Sequence, residues 1–98
     1  MNPYRVELGP AAAKAFQKLA PEVRVRLARA LEKLARDVAK PGRIEGKAVK
    51  TLHGASESFH RLRAGDHRVM YDVLDADRVL LILGIVHRSD LERWIRNR

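Results

Sequence analysis

Residues 59–71 read Phe-His-Arg-Leu-Arg-Ala-Gly-Asp-His-Arg-Val-Met-Tyr, two short alternating runs hinged at Ala64-Gly65-Asp66. Alternation on both sides of a glycine-containing break is the pattern of an antiparallel hairpin. The loop decides which arginines face each other. With Ala64-Gly65 as the loop, Arg61 stands opposite Arg68; with Gly65-Asp66, Arg63 takes that place. A three-residue loop would put Leu62 there instead. Like charges facing each other destabilise a ladder, on the scale of the ~0.2–1 kcal/mol that opposite charges contribute. A chain that keeps such cations is expected to hold them for an anion, and phosphate is the obvious one. The plainer use is ordinary surface pairing with Glu57, Asp66 or Asp72, each pair worth little.

Outward from the hairpin, Val69, Tyr71 and Val73 continue the alternation to a turn at Asp75-Ala76-Asp77. Residues 79–86, VLLILGIV, form an unbroken apolar run, as in a central strand covered on both faces. Val86-His87-Arg88 follows, and Ser89 or Asp90 is placed to cap a short closing helix containing Leu91, Trp94 and Ile95. Upstream, residues 43–57 carry Gly46, Gly54 and small polar residues and read as a loop with at most a short extended piece. Before that, Val23, Leu27, Ala30, Leu31, Leu34 and Val38 form one helical stripe, with Arg24, Arg29, Lys33, Arg36 and Lys40 opposite. Ala20-Pro21 separates this helix from an earlier one carrying Ala12, Ala15, Phe16 and Leu19. Tyr4, Val6 and Leu8 alternate as a first strand, ended by Gly9-Pro10.

The order is therefore an N-terminal strand, a helical hairpin, a three-stranded antiparallel meander and a short C-terminal helix. Helices gathered on one face of a mainly antiparallel sheet make an α+β fold, expected as a single domain over residues 1–98. The other sheet face would be partly open, with Arg61 and Arg68 among the residues lining it. The basic outer face of the long helix reads first as solvated surface and second as a contact.

Twenty Lys and Arg against twelve Asp and Glu give a net charge of +8, which attracts polyanions through long-range potential and counterion release. Ten basic against five acidic residues lie in 1–46, and ten against seven in 47–98, so no basic tail explains the excess. No helix pairs a basic face with aromatic anchors, which disfavours a membrane surface. No apolar run approaches the ~18 residues of a membrane span, and MNPYRVELG lacks the pattern of a signal peptide. The chain has no cysteine, which removes disulfides and thiolate metal sites and fits a cytoplasmic location. No two histidines stand at i, i+4, so neither a metal nor a cofactor is expected.

Three blocks together resemble one family. They are Leu52-His53-Gly54, then His60-Arg61-Leu62-Arg63-Ala64-Gly65-Asp66-His67-Arg68-Val69-Met70-Tyr71, then Val86-His87-Arg88-Ser89-Asp90. Preceded by a strand and a helical hairpin, they resemble the RelE/ParE superfamily of toxins over nearly the whole chain. The specific core is R-x-x-x-G-D-x-R-v-x-Y with a later H-R. RelE-like members are ribosome-dependent endoribonucleases that cut messenger RNA; ParE-like members poison DNA gyrase. Both are neutralised by an antitoxin in a toxin–antitoxin hetero-oligomer. The resemblance implies a RelE-like toxin with antitoxin, ribosome and mRNA as partners, with a ParE-like gyrase inhibitor or an inactive RNA-binding relative as alternatives.

It also implies roles. Arg68 and Arg88 match the family's phosphate-facing arginines, and Arg61 matches a cationic position serving binding or proton transfer. Lys47, Lys50 and Arg63 are expected along the RNA. A tyrosine four residues after the H-R arginine is here Glu92, a candidate base. A cation two residues before Arg61 is here Phe59, a candidate for stacking on a nucleobase. His60, His67 and His87 lie in or beside the basic segment, with His87 the candidate for proton transfer and a structural partner otherwise.

Overall fold

The computed structural model describes residues 2–41, 49–53 and 58–97, with the backbone alone for 49–53 and 58. The first strand, β1 (Arg5–Leu8), leads into α1 (Pro10–Gln17) and α2 (Pro21–Val38). Each helix starts on a proline, whose missing N–H costs nothing in the first turn. Then come β2 (Val49–His53), β3 (Ser58–Ala64), β4 (His67–Leu74), β5 (Val79–His87) and α3 (Leu91–Arg96). The strands form one sheet in the order β1-β5-β4-β3-β2, antiparallel except where β1 runs parallel to β5. This is the expected α+β architecture with one addition. β2 occupies part of the segment read as a loop and pairs with β3 over Val49–His53.

The apolar stripe of α2 lies on one face of the sheet. Leu27, Leu31, Leu34, Ala35 and Val38 are buried against Val69, Tyr71, Leu80, Ile82 and Ile85. Burial of each large side chain is worth ~1.5–3 kcal/mol, which holds the helical hairpin to the strands. On the opposite face Phe59, Met70 and Leu91 form a second cluster with Leu83, Val86, Trp94 and Ile95. Thus α3 covers part of the face that α1 and α2 leave uncovered.

A bulge in β5 shapes this second cluster. Met70 pairs with Gly84 and Tyr71 with Ile82, leaving Leu83 as the extra residue. Glycine at 84 lets the Trp94 indole lie directly on the strand: a Cβ there would sit 2.6–2.8 Å from three indole atoms. The start of α3 departs from the expected cap. Asp90 occupies the N-cap without a side-chain cap bond and instead accepts from Arg93, 2.9 Å away. A 3₁₀ turn at Arg88–Asp90 precedes the helix, and His87 caps it by accepting from the Ser89 N–H.

At the far edge, the Tyr4 hydroxyl donates to Asp75 Oδ1 (2.8 Å) and Arg78 Nη2 donates to the Asn2 carbonyl (2.6 Å). The Arg78 guanidinium also lies 4.7 Å from the Tyr4 ring centre. These contacts fasten β1 to the β4–β5 turn, so the N-terminal strand does not rely on its single sheet neighbour alone. Among the described residues, no helix is long and apolar enough to cross a membrane.

Candidate nucleic-acid interface

The β3–β4 connection is the two-residue loop Gly65-Asp66, with Gly65 at φ +61°. A positive φ at the first central position only is the signature of a type II′ turn, where glycine is the ordinary occupant. This loop selects among the open registers. Arg63 faces Arg68, whereas Arg61 faces Met70 on β4 and Lys50 on β2.

Strand alternation puts Arg61, Arg63 and Arg68 on the face of Phe59, Met70 and α3, away from α1 and α2. Arg68 Nη1 donates to the carbonyls of Gly65 (2.9 Å) and His67 (3.0 Å), which folds its guanidinium back over the turn. Arg88 reaches the same turn from the end of β5. Its backbone N–H donates to the Asp66 carbonyl (2.7 Å), and its Nε lies 3.7 Å from Asp66 Oδ1. Both side chains remain about two-thirds exposed, at 64% and 67%, so this ion pair is weak. Arg61 Nε is buried without a hydrogen-bond partner.

Electrostatics tie these residues into one group. The Arg68 pKa is lowered first by burial and then by the charges of Arg61, Arg63 and Arg88, with Asp66 acting in the other direction. Three guanidiniums therefore act on Arg68, with a single carboxylate among the groups that shift it. Such a cluster is paid for in stability and relieved by an anion, and guanidiniums suit the tetrahedral oxygens of phosphate.

The remaining candidates fall elsewhere. Phe59 is 1% exposed and meets Trp94 edge-to-face at 5.4 Å, so its ring belongs to the core and has no free face for a nucleobase. That corrects the stacking role expected of it. His87 Nδ1 lies 2.9 Å from Ser89 Oγ and accepts the Ser89 N–H, and its ring stands 5.9 Å from that of His67. His60 packs on Tyr71 at 5.2 Å. By register the three histidines alternate away from the arginines, so their proximity in sequence is not proximity on the sheet face. Glu92 is exposed in the first turn of α3, with no hydrogen bond or ion pair to the arginines among the described residues. Lys47 lies outside the described residues, and for Lys50 only the backbone is described. Among the described residues no three His, Asp or Glu side chains converge as a metal-ligand set.

One cation was missed in the sequence. Arg26, on α2, brings Nη1 to 3.9 Å from where a Cβ on Gly65 would sit. Its signal was its place three residues after Val23 and four before Ala30, on the flank of the apolar stripe. From there a long side chain can reach past the core to the sheet end.

A family model described as the ParE toxin of the type II toxin–antitoxin system, parDE, matches residues 6–92. The chain belongs to this family. The toxin is also similar to solved RelE proteins. In the archaeal RelE–RelB complex from Pyrococcus horikoshii OT3, the similar chain is 28% identical, with a TM-score of 0.68 over 90% of this toxin and 98% of that chain. The RelBE2 toxin–antitoxin complex from Mycobacterium tuberculosis gives 24% identity and a TM-score of 0.70 over 89% and 100%. The isolated E. coli RelE toxin gives 20% identity and a TM-score of 0.57 over 93% and 98%. The last two likenesses concern the fold alone. No curated protein sequence matches the toxin. The match to the ParE family and the likeness to RelE structures agree with membership in the RelE/ParE superfamily.

Proposed function

We propose that this toxin is an endoribonuclease that cuts messenger RNA on the ribosome and is restrained by a cognate antitoxin in a hetero-oligomer. The observation that carries the proposal is the Arg61, Arg63, Arg68 and Arg88 cluster on the sheet face opposite the helical hairpin. The antitoxin part is supported by the Pyrococcus relative, which is 28% identical and was solved with RelB.

In this reading the RNA 2′-oxygen bonds to phosphorus as the bond from phosphorus to the 5′-oxygen breaks. The products are a 2′,3′-cyclic phosphate and a 5′-hydroxyl. Arg68 and Arg88 neutralise the non-bridging oxygens, whose charge grows in the transition state. Arg61 stabilises the departing 5′-oxygen, which takes a proton from solvent water to become the 5′-hydroxyl, and Arg63 and Lys50 hold the strand. Glu92, the carboxylate four residues beyond Arg88, takes the proton of the 2′-hydroxyl. His87 is left in its capping role.

The second reading is a gyrase poison that binds without cutting. It is favoured by the parDE description of the matching family and by the burial of Phe59. Inducing the toxin in cells and mapping message ends on ribosomes separates the two. Codon-linked cuts are expected; intact messages accompanied by DNA breaks or blocked supercoiling would replace the first reading by the second.

A further inference from the structure

The Gly65-Asp66 turn is approached by guanidiniums from three separate elements. Arg68 of β4 donates to the Gly65 carbonyl (2.9 Å), and Arg88, following β5, holds Asp66 through its backbone N–H (2.7 Å) and Nε (3.7 Å). The third is Arg26 of α2, 3.9 Å from the position a Gly65 Cβ would take. On the same helix Arg24 donates to the Gln17 carbonyl (3.3 Å) and Lys33 pairs with Asp37 (2.9 Å), whereas Arg29 and Arg36 lie along α2 with no such approach to the turn. Arg26 is exposed, and among the described residues it makes no hydrogen bond or ion pair. It therefore presents a full set of donors beside a turn that already carries two cations and one carboxylate.

We propose that Arg26 binds a backbone phosphate of the RNA strand flanking the one held by Arg68 and Arg88. The strand then passes from the open sheet face, over the Gly65-Asp66 turn, to the first half of α2. Gly65 serves this path through its positive φ, which makes the tight turn beside which the Arg26 guanidinium lies. The inference rests on the polyanion reading of the arginine cluster and is independent of whether the bound strand is cut.

The test uses the purified full-length toxin and a 2′-O-methylated RNA strand, which binds but lacks the attacking hydroxyl. Affinity is followed by fluorescence anisotropy as KCl is raised. For Arg26→Gln the slope of log affinity against log salt should fall in magnitude by about 0.7, the share of one phosphate contact on a single strand. Affinity at low salt should fall several-fold with the melting temperature unchanged, and Arg26→Lys should keep most of the slope.

An unchanged slope in Arg26→Gln overturns the proposal, as does an equal loss in Arg26→Lys, which would make Arg26 a structural cover for the turn. Salt-insensitive binding by the unaltered toxin overturns the polyanion reading itself. Salt-sensitive, Arg26-dependent binding by a toxin that leaves message on programmed ribosomes uncut sinks the nuclease and leaves this contact standing.

Discussion

Arg63 and Arg68 face each other directly across β3 and β4, and Arg68 carries the electrostatic consequence. Its pKa is lowered by burial and by Arg61, Arg63 and Arg88. A cation whose folded pKa lies below its unfolded value destabilises the fold wherever it is charged, which here includes neutral pH. The strain is removed by an anion or by changing a neighbour, and lowering the pH does not help. Arg63→Glu should therefore raise stability by up to about 1 kcal/mol, read from the urea midpoint, while weakening RNA affinity. A variant that loses both stability and affinity would contradict this, because the pair would then be a favourable structural contact. The presence of the cations was legible in the sequence, but their partner was not. One residue of loop length moves every pairing, and only the positive φ of Gly65 selects the register.

At the level of elements, α3 and the β5 bulge decide how much of the second sheet face stays open. Phe59, two residues before Arg61, lies on the arginine face. What alternation could not show is that the Trp94 indole, seated on Gly84, closes that end of the face. The same contact supports a prediction. Gly84→Ala forces its Cβ to within 2.6–2.8 Å of the indole and should cost ~1–3 kcal/mol, the usual range for overpacking. The urea midpoint should fall and the emission of the single tryptophan should shift, and the fall in midpoint should shrink in a Trp94→Leu background. Wild-type stability in Gly84→Ala would show that α3 is not packed as described. The short extended piece allowed between 43 and 57 is β2, and its pairing with β3 was not readable from the sequence for a related reason. Its neighbourhood is rich in glycine and small polar residues, and its extended form is held by pairing with β3 more than by local propensity.

Across the whole molecule, charge and topology act together. A net charge of +8 draws polyanions toward the toxin, and the two helical faces direct where they can land. The helical hairpin buries one side of the sheet, α3 closes part of the other, and the arginines hold the remainder. Element order and the buried stripe of α2 were readable because helical and strand periodicities differ sharply. The contribution of Arg26 was not, since it depends on how α2 lies relative to a turn almost forty residues away.

The most direct test of the nuclease is single-turnover cutting of message on purified, programmed ribosomes, comparing the toxin with Arg68→Ala. The toxin should leave a 2′,3′-cyclic phosphate end, and Arg68→Ala should cut about 10²–10³-fold more slowly with a melting temperature no lower than that of the unaltered toxin. Intact message with the unaltered toxin, or cutting by Arg68→Ala at the full rate, would contradict the assignment.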